Sequence, residues 1–203
     1  MPDLPIVAAL LVTNRSEMFA NAYRQYSRQD YGRLLLAIDD SPNLTHGAKM
    51  NRLFLDCTHD FAVVFDDDDL YASDRVSKLI RPMLDNPKIE CVGTSLVYYT
   101  DEAAGKAWLY DNQKLCENWK ANANLFWLAA PAYRIAAYDK YGPWENLKAG
   151  ADLKFLHKIP RENVLDLRDP TLMVCRIHSA NAAPKQPHPP AWTEVPMSEV
   201  PKL

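Results

Sequence analysis

The sequence predicts an α/β fold, arranged as a three-layer α/β/α sandwich around a mainly parallel mixed sheet. Three continuous apolar runs, residues 5–12, 34–38 and 61–65, have the composition of strands that are buried on both faces of a parallel sheet. The segments between them instead carry apolar residues at helical spacing. Because strands that alternate with helices form right-handed crossovers, residues 1–86 are interpreted as a βαβαβ unit.

Apolar stripes at positions i, i+3, i+4 and i+7 predict the helices of this unit. Ser16 is a candidate N-cap of the first helix, and the third helix is predicted to begin near Ser73 and Asp74. The residues expected to face the sheet are Phe19, Ala22, Tyr23 and Tyr26 in the first helix, Met50, Leu53, Phe54 and Cys57 in the second, and Val76, Leu79, Ile80, Met83 and Leu84 in the third.

The second half of the chain has a mixed α+β pattern. It predicts a long strand over residues 89–99, a turn and a returning strand up to residue 110, and a last strand over 171–177. Its aromatic residues are interpreted mainly as core, namely Trp119, Phe126, Trp127, Tyr133, Tyr138, Tyr141 and Trp144. Residues 1–182 are therefore predicted to form one domain, with a second half over 87–182. The proline-rich tail, residues 183–203, is predicted to be extended or disordered.

Composition narrows the class of protein. The chain has 203 residues, of which 48% are hydrophobic and 24% charged, and this fits one globular domain. A formal net charge of −3 gives no general attraction to nucleic acid or anionic lipid. The four cysteines form no CxxC pair and are interpreted as buried free thiols, at positions Cys57, Cys91, Cys116 and Cys175. The N-terminal apolar run is too short to span a bilayer, so a cytoplasmic protein without a membrane span is predicted.

Four adjacent carboxylates, from Asp66 to Asp69, directly follow the third apolar run. In an extended segment Asp66 and Asp68 would point to one face and Asp67 and Asp69 to the other. Ligands of such sheets bind beyond the carboxyl ends of the strands, where this run and Asp40 both fall. The pattern predicts a Mg²⁺ or Mn²⁺ site that holds a substrate phosphate, while a solvated acidic turn and a helix N-terminus remain alternatives.

Several short segments match, in their order and spacing, the motifs of a known family. Residues 12–15 resemble a "T-Y-N-R" turn, 29–31 a "Q-x-Y" phrase, 38–41 "V-D-D-G-S", 47–51 "G-x-x-x-x-x-N", 65–71 with Asp74 and Arg75 "L-D-x-D-D" and "P-D-R-L", 142–144 "G-G-F", and 150–155 "G-E-D-x-x-F". Together they resemble the family 2 glycosyltransferases. The resemblance implies the Rossmann-like GT-A nucleotide-sugar fold over most of the chain.

The resemblance also implies a donor site. Asp40 would accept a hydrogen bond from the uracil ring, with a local Asx turn as the alternative. Leu11 and Thr13 would line the base pocket, and Asp66 or Asp67 would lie beside the ribose. The remaining implied donor contacts come from the turn residues Asn14 and Arg15 and from Lys49. For Arg15 and Lys49, contacts to donor phosphates compete with solvated surface positions.

Two further elements of the resemblance concern the metal and the base. Asp68 matches the metal ligand for Mn²⁺ or Mg²⁺, and His178, in an "H-x-x-N" element, would complete the metal or diphosphate site. Asp152 matches the carboxylate that takes the proton from the acceptor hydroxyl in inverting members. A helix N-cap is an alternative for Asp152 that can coexist with this role. Ala151 stands where the family has Glu, and this departure puts the acceptor in doubt.

These residues predict a metal-dependent, inverting glycosyltransferase that uses a nucleoside-diphosphate sugar, with a UDP-sugar as the first choice. The acceptor is left open among a saccharide, a protein and a modified nucleobase, and one or two of the aromatic residues are left open as the floor of a sugar site. A haloacid-dehalogenase-like phosphotransferase and a catalytically silent nucleotide-sugar-binding module are the alternatives. A calcium loop is excluded, because Gly and Glu are missing at its sixth and twelfth positions.

Overall fold

The computed structural model of the chain describes residues 4–118, 126–181 and 185–203. Its strands are β1 (Val7–Val12), β2 (Leu34–Asp39), β3 (Phe61–Asp66), β4 (Leu70–Tyr71), β5 (Cys91–Thr94), β6 (Leu96–Asp101), β7 (Lys106–Asp111), β8 (Ala129–Arg134), β9 (Val164–Asp166), β10 (Met173–Arg176) and β11 (Trp192–Val195). Its α-helices are α1 (Ser16–Ser27), α2 (His46–Leu55), α3 (Arg75–Asp85), α4 (Asn112–Asn118), α5 (Ile135–Tyr141) and α6 (Ala151–Leu156).

The main sheet is mixed and mainly parallel, as predicted. Its strand order is β2-β1-β3-β8-β5-β9, and only β8 runs antiparallel to its neighbours. The three apolar runs of the first half became β1, β2 and β3. Their register places Val12 between Asp39 and Asp66, so the carboxyl ends of all three strands open toward one edge.

Helices cover both faces of this sheet, which confirms the three-layer arrangement. Val7, Ala9 and Leu11 of β1 pack on the side that holds α1 and α3. Ala8 and Leu10 pack on the opposite side, which holds α2, α5 and α6. Successive side chains of a strand point to opposite faces, and here both faces are buried. This double burial is why the run is continuously apolar.

The predicted long strand over residues 89–99 is wrong, because the chain changes sheet there. β5 belongs to the main sheet, whereas β6 belongs to a second, five-stranded sheet of order β11-β7-β6-β10-β4. Ser95 lies at the change, and its backbone N–H and its hydroxyl donate to the Asp166 carboxylate at 2.9 and 2.5 Å. A side chain therefore replaces the strand partner at this residue. The predicted turn and returning strand are confirmed as the β6–β7 hairpin.

The proline-rich tail is part of the fold and not a free segment. Its residues Trp192–Val195 form β11, which pairs antiparallel with β7. The Trp192 ring lies 4.6 Å from the Tyr99 ring and 4.8 Å from the Tyr110 ring, measured between centroids. Ala191 is fully buried. Composition alone hides this strand, because it is short and lies between prolines.

Several details of the predicted helices are corrected. Phe19 and Tyr23 are exposed, whereas Ala22 is buried as predicted and Gln25 is buried in addition. Gln25 is tolerated there because its side-chain oxygen accepts the backbone N–H of Tyr71 at 3.1 Å. Ser16 is the first residue of α1 and not its cap. In α3, Leu84 is exposed.

The cysteine prediction holds for two of the thiols. Cys91 and Cys175 are buried free thiols, while Cys57 is half-buried just beyond the end of α2. The side chain of Cys116 and the whole of Trp119 lie outside the described residues. Within the described ranges, no helix is long and apolar enough to cross a membrane.

Candidate active site

A cavity of about 890 Å³ opens at the carboxyl edge of the main sheet. One wall is formed by the end of β1 and by the acidic run, including Thr13 and Asp66. Gly150, Asp152 and Trp127 also line this cavity. Donor-side and acceptor-side candidates therefore share one cavity, as expected for ligands of open α/β sheets.

Arg15 binds the middle of the acidic run. Its guanidinium forms ion pairs with Asp67 and with Asp68, the latter at 2.9 Å, and its Nη1 donates to the Ala180 carbonyl at 2.9 Å. The Thr13 hydroxyl donates to Asp67 Oδ2 at 2.5 Å. Asp67 and Asp68 thus share one cation, so the alternation predicted for an extended segment is wrong. The chain bends at these two residues, since β3 ends at Asp66.

Asp68 and His178 are brought together by the loop that follows β10. His178 Nε2 lies 2.9 Å from Asp68 Oδ2, and the Asn181 amide donates to the same oxygen at 3.3 Å. The Asn181 side-chain oxygen also accepts the backbone N–H of His178 at 2.8 Å. The contact between His178 and Asp68 joins residues that are 110 positions apart in the sequence. These are the two residues of the predicted metal site.

Of the other two carboxylates of the run, Asp69 is buried and Asp66 is half-buried. Burial, followed by the charges of Asp69 and Asp68, raises the pKa of Asp66 well above its ordinary value. Burial and the Asp68 charge also raise the pKa of Asp69 to about 7, although the Arg176 backbone N–H donates to its Oδ1 at 3.1 Å and opposes the shift. Repulsion within the run is thus relieved in two ways, by Arg15 at the centre and by proton uptake at the ends.

The structure separates the remaining donor-side candidates. Asn14 is exposed and lines the cavity. Lys49 also lines it but is only 2% exposed, because its ammonium donates to the Thr13 carbonyl at 2.8 Å; it is not a solvated surface residue. Leu11 is 1% exposed and packs in the core instead of lining the base pocket. Asp40 is exposed just after β2, beside the buried Asp39.

Asp152 lies in the first turn of α6 and lines the cavity. The residue before this helix, Gly150, has a positive φ of 76°, a conformation that glycine adopts at low cost. Ala151 is fully buried, next to Gly47 of α2. The Glu that the family motif has at this position would be buried here, so the departure at Ala151 fits the packing.

Helix α2 fixes the loop that leads to Asp152. The Asn51 side chain makes two hydrogen bonds to the backbone of Trp144, donating to its carbonyl at 3.0 Å and accepting from its N–H at 2.7 Å. The Gly47 N–H donates to the Leu147 carbonyl at 3.1 Å. The motif over residues 47–51 therefore has a structural role in holding the acceptor side of the cavity.

The donor set around Asp68 fits a divalent cation that is shared with a diphosphate. A carboxylate oxygen and an imidazole nitrogen are suitable ligands for Mn²⁺, and Mg²⁺ is commonly held by one or two carboxylates plus substrate phosphates. Within residues 4–118, 126–181 and 185–203, no three His, Cys, Asp or Glu side chains converge on a metal position. Asp68 and His178 would thus supply two ligands and leave the others to the substrate and water.

The imidazole of His178 must change its tautomer to bind a metal through Nε2. The Ala180 backbone N–H donates to Nδ1 at 3.2 Å, which places the ring proton on Nε2, where it faces Asp68. Coordination through Nε2 would move this proton to Nδ1 and open the contact with Ala180.

Sequence reasoning missed several residues that organise the site. Asn21 of α1 donates to the carbonyls of Asp67 and Asp69 at 3.1 and 3.2 Å and so fixes the acidic bend. Arg176 donates from its side chain to the Asp68 carbonyl. His46, at the start of α2, lines the cavity, and burial lowers its pKa against the opposing charge of Asp152. In the sequence, these polar residues resemble solvent-exposed positions of a helix or strand. Their long-range contacts therefore could not be predicted from it.

The family model for glycosyl transferase family 2 matches residues 13–141, which is more than half of the chain. The chain belongs to glycosyl transferase family 2. The matched segment of this family 2 member includes the whole acidic run. It ends before Asp152 and His178, so the arrangement of these two residues around the cavity is an independent structural observation.

Solved structures with a similar fold are glycosyltransferases that cover most of this chain. The mannosyltransferase PcManGT from Pyrobaculum calidifontis, in complex with GDP-Man and Mn²⁺, has a TM-score of 0.62 at 13% identity over 89% of this chain and 59% of its own. S. aureus TarS 1-349, in complex with UDP-GlcNAc, has a TM-score of 0.61 at 13% identity over 87% of this chain and 60% of its own. Glucosyl-3-phosphoglycerate synthase from Mycobacterium tuberculosis, in complex with Mn²⁺, UDP and glucosyl-3-phosphoglycerate, has a TM-score of 0.56 at 14% identity over 80% of this chain and 69% of its own.

At these identities the likeness shows the fold, which is the Rossmann-like α/β fold of GT-A glycosyltransferases. The chain spans about six tenths of the length of the first two of these structures. Among curated proteins, none matches the chain.

Proposed function

We propose that this family 2 member is a metal-dependent glycosyltransferase that moves a sugar from a nucleoside-diphosphate sugar to a hydroxyl acceptor with inversion. The observation that carries the proposal is that Asp152 and Asp68, which contacts His178, line one cavity. The Asp68–His178 pair is proposed to supply the ligands for a metal and a diphosphate, and Asp152 is a half-buried carboxylate. An inverting transfer requires both functions in one site.

The proposed donor is a UDP-sugar. Asp40 directly follows β2, the strand that pairs with β1, and its carboxylate suits the imide N–H of uracil. Two of the similar structures hold UDP or UDP-GlcNAc and one holds GDP-Man, so the choice of base needs direct measurement. Thr13, Asn14 and Arg15 are proposed to contact the nucleotide, with Asp66 or Asp67 beside the ribose.

Asp68 and His178 are proposed to hold Mn²⁺ or Mg²⁺. When bound, such an ion supplies a positive charge against the diphosphate as it leaves. The chain contributes the two ligands and a buried acidic bend that Asn21 and Arg176 hold in place. Arg15 forms ion pairs with both Asp67 and Asp68, so a bound cation would compete with this guanidinium for the Asp68 carboxylate.

Asp152 is proposed as the general base. The acceptor hydroxyl gives its proton to the carboxylate while its oxygen forms the new bond to the anomeric carbon. The bond from that carbon to the diphosphate breaks, and the electron pair leaves with the nucleoside diphosphate. A base must be within hydrogen-bond reach of the hydroxyl, and Asp152 lines the cavity where that hydroxyl would lie.

The proposed acceptors are, in order, a saccharide, a protein and a modified nucleobase. The net charge of −3 gives no general attraction to nucleic acid, which places the nucleobase last. A saccharide is placed first because the Trp127 ring lines the cavity on the side of Asp152.

Calorimetric titration with UDP, GDP, CDP and TDP, each with and without Mn²⁺, tests the donor site. We expect one nucleotide to bind tightly only when the metal is present. Binding of none of the four in the presence of metal would contradict the proposed donor site. A sugar-transfer assay with the matching donor then separates an enzyme from a catalytically silent binding module, because the module would bind the nucleotide without forming product.

A further inference from the structure

Asp152 receives a hydrogen bond from the indole of Trp127. The indole Nε1–H donates to Asp152 Oδ2 at 2.8 Å, and both residues line the cavity. Among the described residues, the Trp127 indole is the one hydrogen-bond donor to the Asp152 carboxylate. Helix α6 sets the backbone of Asp152, and the hydrogen bond from Trp127 selects among the side-chain rotamers that this backbone allows.

Trp127 is itself held by a buried polar residue. Its backbone N–H donates to the Asn112 side-chain oxygen at 2.8 Å, and Asn112 is only 2% exposed. The backbone N–H of Asn112 in turn donates to the Ser95 carbonyl at 2.9 Å. The Trp127 ring also meets Tyr110 edge-on, with 6.2 Å between centroids. These contacts hold Trp127 at the junction of the two sheets, and its indole contacts Asp152 from this position.

The hydrogen bond makes the two oxygens of Asp152 different. Oδ2 accepts the indole N–H, and a donor at one oxygen lowers the basicity of that oxygen. Oδ1 keeps its lone pairs for the cavity. Indole nitrogen is only a donor, so Trp127 cannot take up the proton and cannot replace Asp152 as the base.

We propose that Trp127 is a positioning residue that holds the Asp152 carboxylate in one orientation and leaves Oδ1 to receive the proton of the acceptor hydroxyl. The inference rests on the proposed function, in which Asp152 is the base. A shift of about 1 Å in a reacting group can cost roughly 100-fold in rate, so loss of this orientation should be measurable in turnover.

Trp127→Phe keeps an aromatic ring of similar bulk and removes the N–H donor. We expect kcat to fall roughly 10- to 100-fold, while KM for the donor and the affinity for the metal-bound nucleotide stay within about twofold. Trp108→Phe makes the same chemical change on β7 and should leave kcat unchanged.

The dependence on Asp152 is tested in a double variant. In an Asp152→Asn background, Trp127→Phe should reduce the residual rate by less than about twofold, because the group that it positions is no longer a base. Equal fold losses in the presence and absence of Asp152 would overturn the proposal. So would a kcat for Trp127→Phe within twofold of the unmodified enzyme.

A measurement that needs no turnover separates this proposal from the proposed function. The chain has five tryptophans, whose indole N–H groups give separate signals in an ¹H–¹⁵N spectrum, and Trp127→Phe identifies its own signal. We expect Asp152→Ala to shift that signal and to speed its exchange with water, with the other indole signals unchanged. An unchanged Trp127 signal would overturn the positioning role. A shifted signal together with no transfer from any donor would instead count against the proposed function.

Discussion

The acidic run illustrates how single residues decide whether a charged motif can fold. Four adjacent carboxylates would repel one another, but this repulsion is reduced at each of the four positions. Arg15 pairs with Asp67 and Asp68, and Asn21 holds the backbone of the bend. At the ends, burial is the first cause that raises the pKa values of Asp66 and Asp69. These contacts keep Asp68 at the cavity, where a cation and a diphosphate could replace Arg15 as its partner.

Substitution of Asp68 should affect nucleotide binding, whereas substitution of Asp152 should affect turnover. Asp68→Asn removes an anionic ligand, so we expect metal-dependent nucleotide affinity to be lost. Asp152→Asn keeps the shape of the side chain and removes the base, so binding should be retained while kcat falls by roughly 10² to 10⁴. Calorimetry and steady-state rates measure the two effects. Equal loss of nucleotide binding in both variants would rule out this division of roles.

The contacts between elements explain why the acceptor side of the cavity is well defined. Helix α2 approaches the loop before α6 so closely that a Cβ on Gly47 would lie 1.8 Å from the Glu145 carbonyl oxygen. Asn51, which is also in α2, makes two hydrogen bonds to the backbone of Trp144 in that loop. The positions of α2 and of the loop that carries Asp152 are thus coupled.

Gly47→Ala should therefore disturb both stability and catalysis. The new methyl group meets a backbone atom, so the helix or the loop has to move, and we expect a loss of about 1–3 kcal/mol in the free energy of unfolding. Gly32→Ala is the matched control, because a Cβ there has nothing within 4 Å. Thermal unfolding of both variants measures the difference. Equal melting temperatures would mean that the helix and the loop are not packed as described.

An ion pair between Asp111 and Arg168 links β7 to the segment after β9. Their side chains make two hydrogen bonds, at 3.0 and 2.9 Å. Burial alone would raise the pKa of Asp111, but the hydrogen bonds and charge of Arg168 outweigh it and hold that pKa below the ordinary value. A depressed carboxylate pKa adds stability above the unfolded pKa, and this stability is lost as the pH falls through the folded value.

Asp111→Asn should thus destabilise the protein at neutral pH and matter less in acid. We expect the difference in melting temperature between the unmodified protein and the variant to be largest near pH 7. The difference should shrink below about pH 4, where the aspartate becomes protonated. Melting curves at a series of pH values measure it. A difference that grows as the pH falls would contradict the assigned sign.

At the scale of the whole molecule, the sequence predicts the first half well and the second half poorly. β1 and β3 are predictable because burial on both faces leaves continuous apolar runs. β2 lies at the edge of the sheet and keeps an apolar run although Leu35 and Ile38 are exposed. The roles of Asp40, Asp68 and Asp152 stay predictions from the family motifs. The second sheet is hidden because residues 89–99 look like one strand. β5 and β6 are divided at Ser95, which makes a hydrogen bond to Asp166, 71 residues away in the sequence. The contact of Trp127 with Asp152 was not predicted for the same reason, because the two residues are distant in the sequence.

The tail offers the last test, because composition and structure predict different outcomes for it. If residues 183–203 were a free segment, substitutions there would have no effect on stability. In the structure, Trp192 covers the rings of Tyr99 and Tyr110, so Trp192→Ala should lower the free energy of unfolding by about 1–3 kcal/mol. Glu194→Ala, two residues further along β11, removes an exposed ion pair of 3.7 Å with Lys106 and should change stability by less than about 0.5 kcal/mol. Denaturant titration of both variants decides between a free tail and a strand that completes the second sheet beside the cavity, since Tyr99 also lines that cavity.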